Sequence, residues 1–230
     1  MRTLGLIGGT SWVSTLDYYR IINQSVNEKL GGLNSAKLFL YSLNMEEFNP
    51  PSDPTKWSGV ADLLSSIAKK LESAGAECII ICANTPHIVA DEVQKNIRIP
   101  LLHIAESTAN VISKKGLYKV GLLGTKLTME QKFFKDRLAK KKIIAMIPDE
   151  NDREFIQQSI FNELIKGIFE PKTKSRYITI INKLISGGAQ GIIFGCTEIP
   201  MLIKQEDCIV PVFNTMMIHA NAAVDFALSK

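Results

Sequence analysis

Cysteines, histidines and a few short polar motifs are the parts of this 230-residue sequence equipped for covalent or proton-transfer chemistry. Cys196 stands first among them. It follows the apolar run Ile192-Ile193-Phe194-Gly195 and precedes Thr197-Glu198, which places it where a buried strand turns into the next element. A thiol there is expected to be partly exposed and near backbone N–H donors that stabilise a thiolate. A cysteine behind an apolar run is ordinarily a core residue. Gly195, which permits close backbone approach to a ligand, and the polar Thr197 tip this one toward function. Cys78 and Cys208 lack such flanks and are expected in the core. Asn84-Thr85, with Pro86 as a first helical residue, offers short polar side chains and free N–H groups suited to a carboxylate. A plain N-cap would account for Thr85 and leave Asn84 without a role. The segment Gly8-Gly9-Thr10-Ser11 could cradle an anion on backbone amides or form a tight turn. It matches neither the Walker nor the GxGxxG pattern, so nucleotide binding is a poor reading. His87, His103 and His219 are dispersed along the chain and are expected to be structural. By itself, Lys166 before Gly167 reads as a surface lysine.

The elements that must position these residues alternate short β-branched runs with stretches of helical period, the pattern of a βα protein with parallel sheets. Strands are expected at Leu4–Ile7, Ala36–Ser42, Cys78–Cys82, Ile99–His103, Lys119–Leu123, Ile143–Ile147, Gly191–Phe194 and Ile209–Phe213. The first helix should run from about Val13 to Leu30, capped by Ser11 or Ser14 and ended by Gly31-Gly32. Pro50, Pro51 and Pro54 argue against regular structure between Leu43 and Trp57, a candidate lid or pocket loop.

An internal repeat organises the chain. AGAECIIICANTP, residues 74–86, resembles GGAQGIIFGCTEIP, residues 187–200. Gly75, Ala76, Ile79 and Ile80 match Gly188, Ala189, Ile192 and Ile193 at a constant offset of 113 positions. Gly5-Leu-Ile-Gly-Gly-Thr likewise resembles Gly121-Leu-Leu-Gly-Thr, and Ile99-Pro100-Leu101 resembles Val210-Pro211-Val212. The expected fold is therefore α/β, two pseudo-symmetric βα lobes, each with a mostly parallel sheet and with an active-site cleft between them. The lobes are assigned to residues 1–115 and 116–214, with a C-terminal helix over 215–230 packing back on the first. Under the same offset Cys82 corresponds to Gly195, Ala83 to Cys196, Asn84 to Thr197 and Thr85 to Glu198.

Composition narrows the function classes. With 46% hydrophobic and 22% charged residues the chain is globular, and disorder, collagen and coiled coil are excluded. The net charge of +4 is scattered; its densest cluster, Lys135, Arg137 and Lys140 to Lys142, fits a solvated helix end, so nucleic acid is not an expected partner. Four cysteines without CxxC spacing indicate reduced thiols in a cytoplasmic protein. The N-terminal apolar run is too short for a signal h-region, and no segment approaches a membrane span.

Three motifs in order, Leu4-Gly-Leu-Ile-Gly-Gly-Thr-Ser-Trp, Ala83-Asn84-Thr85 and Gly195-Cys196-Thr197-Glu198, resemble the cofactor-independent aspartate/glutamate racemase family over essentially the whole chain. Glu198, where glutamate racemases carry His, is similar to the aspartate racemase-like branch that includes broad amino-acid racemases. The resemblance implies a small amino-acid substrate and a thiol on each face of its Cα, one removing the proton and the other returning it. It also implies that Asn84, Thr85 and Thr197 bind the α-carboxylate, that Thr10 lines the pocket and that Lys166 contacts substrate. Neither pyridoxal phosphate nor a metal is implied, and a homodimer is. The sequence departs from the family at Ala83, where a Cys or Thr is usual. A methyl group carries no proton, so with Cys196 as the retained base the opposite proton would come from Cys82, Thr85 or water. Cys82 would need an irregular backbone to reach the cleft, since successive strand residues point to opposite faces. The alternatives are a one-cysteine decarboxylase or cis-trans isomerase of small dicarboxylates, or a catalytically silent carboxylate binder.

Overall fold

The computed structural model describes residues 1–48 and 53–229. The chain folds as two units, Met1–Ser107 with the segment from Met216 onward, and Thr108–Thr215. The first division falls inside the helix Ile104–Lys114.

In the first unit, strands β1 (Leu4–Gly8), β2 (Leu38–Ser42), β3 (Cys78–Ile81) and β4 (Leu101–Leu102) form a parallel sheet in the order β2-β1-β3-β4. The second unit repeats this arrangement with β5 (Lys119–Gly124), β6 (Ile144–Met146), β7 (Ile192–Gly195) and β8 (Val212–Asn214), ordered β6-β5-β7-β8. β1 and β3 are wholly buried, as are β7 and all of β5 after Lys119, which explains their unbroken apolar runs. Edge strand β2 is mostly exposed.

Register confirms the repeat independently of the letters. Gly5 pairs with Ile79, which pairs with Leu101; Gly121 pairs with Ile192, which pairs with Val212. Ile79 and Ile192 are thus equivalent, and counting on makes Ala83 the counterpart of Cys196. Even the irregular strand starts match: the Ile79 N–H donates to Pro100 O and the Ile192 N–H to Pro211 O, both at 2.9 Å. These prolines explain why β4 and β8 begin later than the expected Ile99 and Ile209, since Pro has no donor for the ladder. Ile209 is 87% exposed.

Helix Trp12–Leu30 begins at Ser11, whose Oγ accepts the Ser14 N–H, and ends at Gly31, with φ of 71°. The proline-bearing segment is more ordered than expected at its ends. A helical turn covers Met45–Phe48, with the Glu46 N–H on Asn44 Oδ1, and a 3-10 turn covers Pro54–Lys56. Pro50, Pro51 and Ser52 lie outside the described residues. The helix Thr215–Leu228 lays Met216, Ala220, Ala223, Val224 and Ala227 into the first unit's core beside Leu4, Leu6, Tyr18 and Ile80.

Candidate active site

In each sheet the chain crosses over at its middle, with β1 beside β3 and β5 beside β7, and the crevice outside the carboxyl ends of such strands is where parallel sheets hold ligands. Thr10 follows β1, Ala83-Asn84 follow β3, and Cys196-Thr197 follow β7, so the sequence motifs fall at these two edges.

At the first edge, Gly9 has φ of 88°, and a Cβ there would lie 2.0 Å from Leu43 O, so only glycine makes this turn. Its N–H donates to Thr15 Oγ1 at 2.9 Å, and the Leu43 N–H donates to Gly8 O. The next residue, Thr10, has a buried Oγ1 without a hydrogen-bond partner among the described residues. Asn84 is buried, while Ala83 and Thr85 are half-buried. Thr85 starts a five-residue 3-10 turn, Thr85–Val89, in place of a full helix start. Cys82 is fully buried in the core, its N–H on Ile7 O, and burial raises its thiol pKa strongly. It is a core residue.

The histidines, distant in sequence, are brought together. His87 lies 4.8 Å from His103 and 5.5 Å from His219, ring centre to ring centre. β4 and the C-terminal helix both pack beside the end of β3, which brings together residues dispersed along the sequence. His87 Nδ1 sits 2.8 Å from Ala83 O, and His219 bridges Tyr18 Oη at 2.9 Å and Leu102 O at 2.8 Å. Burial first, and then the neighbouring imidazole, push the His87 pKa well down and that of His219 down to about 3, so both are neutral near pH 7. Among the described residues no group of three or more His, Cys, Asp or Glu side chains could hold a metal ion.

At the second edge, Cys196 is only 8% exposed, against the expectation of a partly exposed thiol. Its Sγ–H donates to Glu198 Oε2 at 2.9 Å, and Thr197 Oγ1 donates to the same oxygen at 2.7 Å. Burial, then the charge and hydrogen bond of Glu198, hold the thiol pKa well above its ordinary value, while the backbone N–H groups of Glu198 and Thr197 pull the other way. The expected amides are present, but the carboxylate and burial outweigh them, and the thiol rests protonated. Gly195 has a structural reason: a Cβ there would stand 2.9 Å from Leu123 O, so the close approach is between β5 and β7. Lys166 is exposed at the end of the 3-10 turn Leu164–Lys166, which packs against Ile199–Leu202, the helix following Glu198. Sequence reasoning marks Glu198 only as a branch feature and misses its contact with the thiol; the Cys-x-Glu spacing is its available signal.

A duplicated pair of parallel α/β sheets, one ending in a buried thiol hydrogen-bonded to a carboxylate, is the class of protein that fold and site define. The Asp/Glu/Hydantoin racemase family matches over residues 7–223, and the chain belongs to this family. It is thereby an isomerase of the racemase type. The fold is similar to that of a candidate Asp/Glu racemase from Yersinia pestis, at TM-score 0.95 and 49% identity with both chains fully covered. An aspartate racemase homologue from Pyrococcus horikoshii OT3 also superposes over the whole of both chains, at TM-score 0.87 and 38% identity. The broad specificity amino-acid racemase RacX of Bacillus subtilis is 27% identical over 170 residues, 70% of each chain. No helix among the described residues is long and apolar enough to cross a membrane.

Proposed function

We propose that the protein is a cofactor-independent racemase of aspartate, glutamate or a related amino acid, using Cys196 to move the Cα proton. The observation that carries this reading is the Cys196–Glu198 contact at the carboxyl end of β7, a thiol paired with a proton acceptor where parallel sheets hold ligands. Asn84, Thr85 and Thr197 are proposed to hold the α-carboxylate. The Thr10 hydroxyl, without a partner among the described residues, supports a pocket-lining role, and Lys166 is proposed to meet the substrate's outer end. An α-proton is weakly acidic, so positioning and dense hydrogen bonding of the carboxylate must lower the barrier. With Cys82 in the core, the second proton is assigned to Thr85 or water. Four free cysteines are in keeping with a cytoplasmic enzyme, and a homodimer is proposed from the family.

The methyl group of Ala83 favours a second reading, a one-thiol decarboxylase or cis-trans isomerase of small dicarboxylates. Incubation with L-aspartate and L-glutamate in D2O separates the two. Racemisation with α-deuteration supports the first, whereas no exchange of either amino acid, with turnover of methyl-substituted malonates or maleate, supports the second.

A further inference from the structure

We infer that Glu198 is the positioning residue that arms Cys196: its carboxylate takes the thiol proton as substrate is engaged and hands it back afterwards. This rests on the reading of Cys196 as the base. Glu198 is 6% exposed, and a carboxylate so removed from water must be hydrogen-bonded to persist. Its Oε2 receives both the Cys196 thiol and the Thr197 hydroxyl, which fixes that oxygen against the sulfur.

The surroundings of the sulfur direct its proton to that oxygen. Cys196 is acted on by its burial, by Glu198 and by the N–H groups of Glu198 and Thr197. On the facing helix Pro171–Ser186, Tyr177 feels Cys196 and Glu163, and its hydroxyl is bonded to Ser159 at 2.9 Å. A thiolate beside an ionised carboxylate would put two like charges in contact, so the pair shares one proton and one negative charge. Activation is then relocation of that proton. It moves from sulfur to Oε2, leaving thiolate and carboxylic acid; the sulfur lone pair then takes the Cα proton, and the C–H electron pair stays on carbon. Net charge passes from the pair to the substrate. Return of the proton from Sγ reverses the steps and gives exchange alone; for inversion, Thr85 or water protonates the other face, and the base it leaves takes the Oε2 proton, which restores the thiol and the carboxylate. At the equivalent positions after β3 stand Ala83 and Thr85, which offer no comparable acid pair.

The test follows the pH dependence of Cys196 alkylation by iodoacetamide, read at the Cys196 peptide by mass spectrometry, in the unaltered protein, Glu198→Gln and Glu198→Asp. Alongside it, α-deuterium exchange of L-aspartate and L-glutamate is measured. In Glu198→Gln the alkylation midpoint should fall by about one pH unit or more, because the adjacent charge is gone. Exchange should fall at least about tenfold at the same time. More thiolate with less exchange is what loss of a proton acceptor produces and a packing defect does not. Glu198→Asp should keep the high midpoint and recover part of the exchange. An unmoved or raised midpoint in Glu198→Gln, or undiminished exchange, overturns the inference. Should the unaltered protein exchange neither amino acid, the racemase reading fails and the midpoint alone decides the role of Glu198.

Discussion

His87 Nδ1 and Ala83 O lie 2.8 Å apart, so a fully enclosed imidazole donates to the carbonyl at the carboxyl end of β3. That bond fixes the path of the chain into Asn84 and Thr85. His87→Phe keeps the ring volume but leaves the carbonyl without this donor, which should cost about 1–3 kcal/mol. Urea denaturation at pH 7 measures it; a loss below about 0.5 kcal/mol would show the bond to be incidental.

Acid sensitivity follows from the same cluster. His87 and His219 have lowered pKa values in the fold, that of His219 about 3, and titrate near 6.5 when unfolded. Between those values the unfolded chain binds more protons, so stability present above about pH 6.5 is lost as pH falls. Each histidine contributes a slope of up to roughly 1.4 kcal/mol per pH unit. Replacing His219 by Gln should flatten the slope between pH 6.5 and 5 by about that amount, whatever it does to stability at pH 7. An unchanged slope would remove His219 from the account.

The strands are legible in the sequence because a buried parallel strand must be apolar on both faces, as Cys78–Ile81 and Ile192–Gly195 are. The equivalence of Ala83 and Cys196 is legible because duplication preserved spacing. The histidine cluster is not: His87, His103 and His219 meet through tertiary packing that leaves no local pattern. Nor can the flanks of Cys196 reveal its protonation, which is decided first by its own burial and then by the charge and hydrogen bond of Glu198. The turn at Met45–Phe48 is hidden by the prolines downstream, whose missing donors speak against regular structure only at their own positions.

Two glycines with positive φ should behave differently. Gly9 and Gly31 have φ of 88° and 71°, but a Cβ on Gly9 meets Leu43 backbone at 2.0 Å whereas one on Gly31 meets nothing within 4 Å. Gly31→Ala should cost about 1–3 kcal/mol from backbone strain alone, since φ of 71° with ψ of −176° is a glycine conformation. Gly9→Ala must also displace the Leu43 backbone and should cost clearly more, at least about 3 kcal/mol beyond the Gly31 loss or no folded protein at all. Equal losses in thermal or urea unfolding would mean that the β1 turn tolerates a shift of Leu43.

The equivalence of Ala83 and Cys196, counted from the matching registers of the two sheets, sets the strongest test of the chemistry. Both follow the third strand of their sheet, yet only one carries a transferable proton. Cys196→Ala should abolish α-deuterium exchange while leaving the fold intact, since it removes a single sulfur atom and the cost of a truncation grows with the volume left empty. Ala83→Cys places a second thiol at the equivalent position and should raise racemisation about a hundredfold, the scale of recovered general acid–base catalysis at one face. Chiral chromatography reads racemisation, and proton NMR in D2O reads exchange. If Cys196→Ala retains full activity, the base lies elsewhere. If Ala83→Cys gains exchange without racemisation, the new thiol acts on the proton that Cys196 already handles, and the two-face assignment fails.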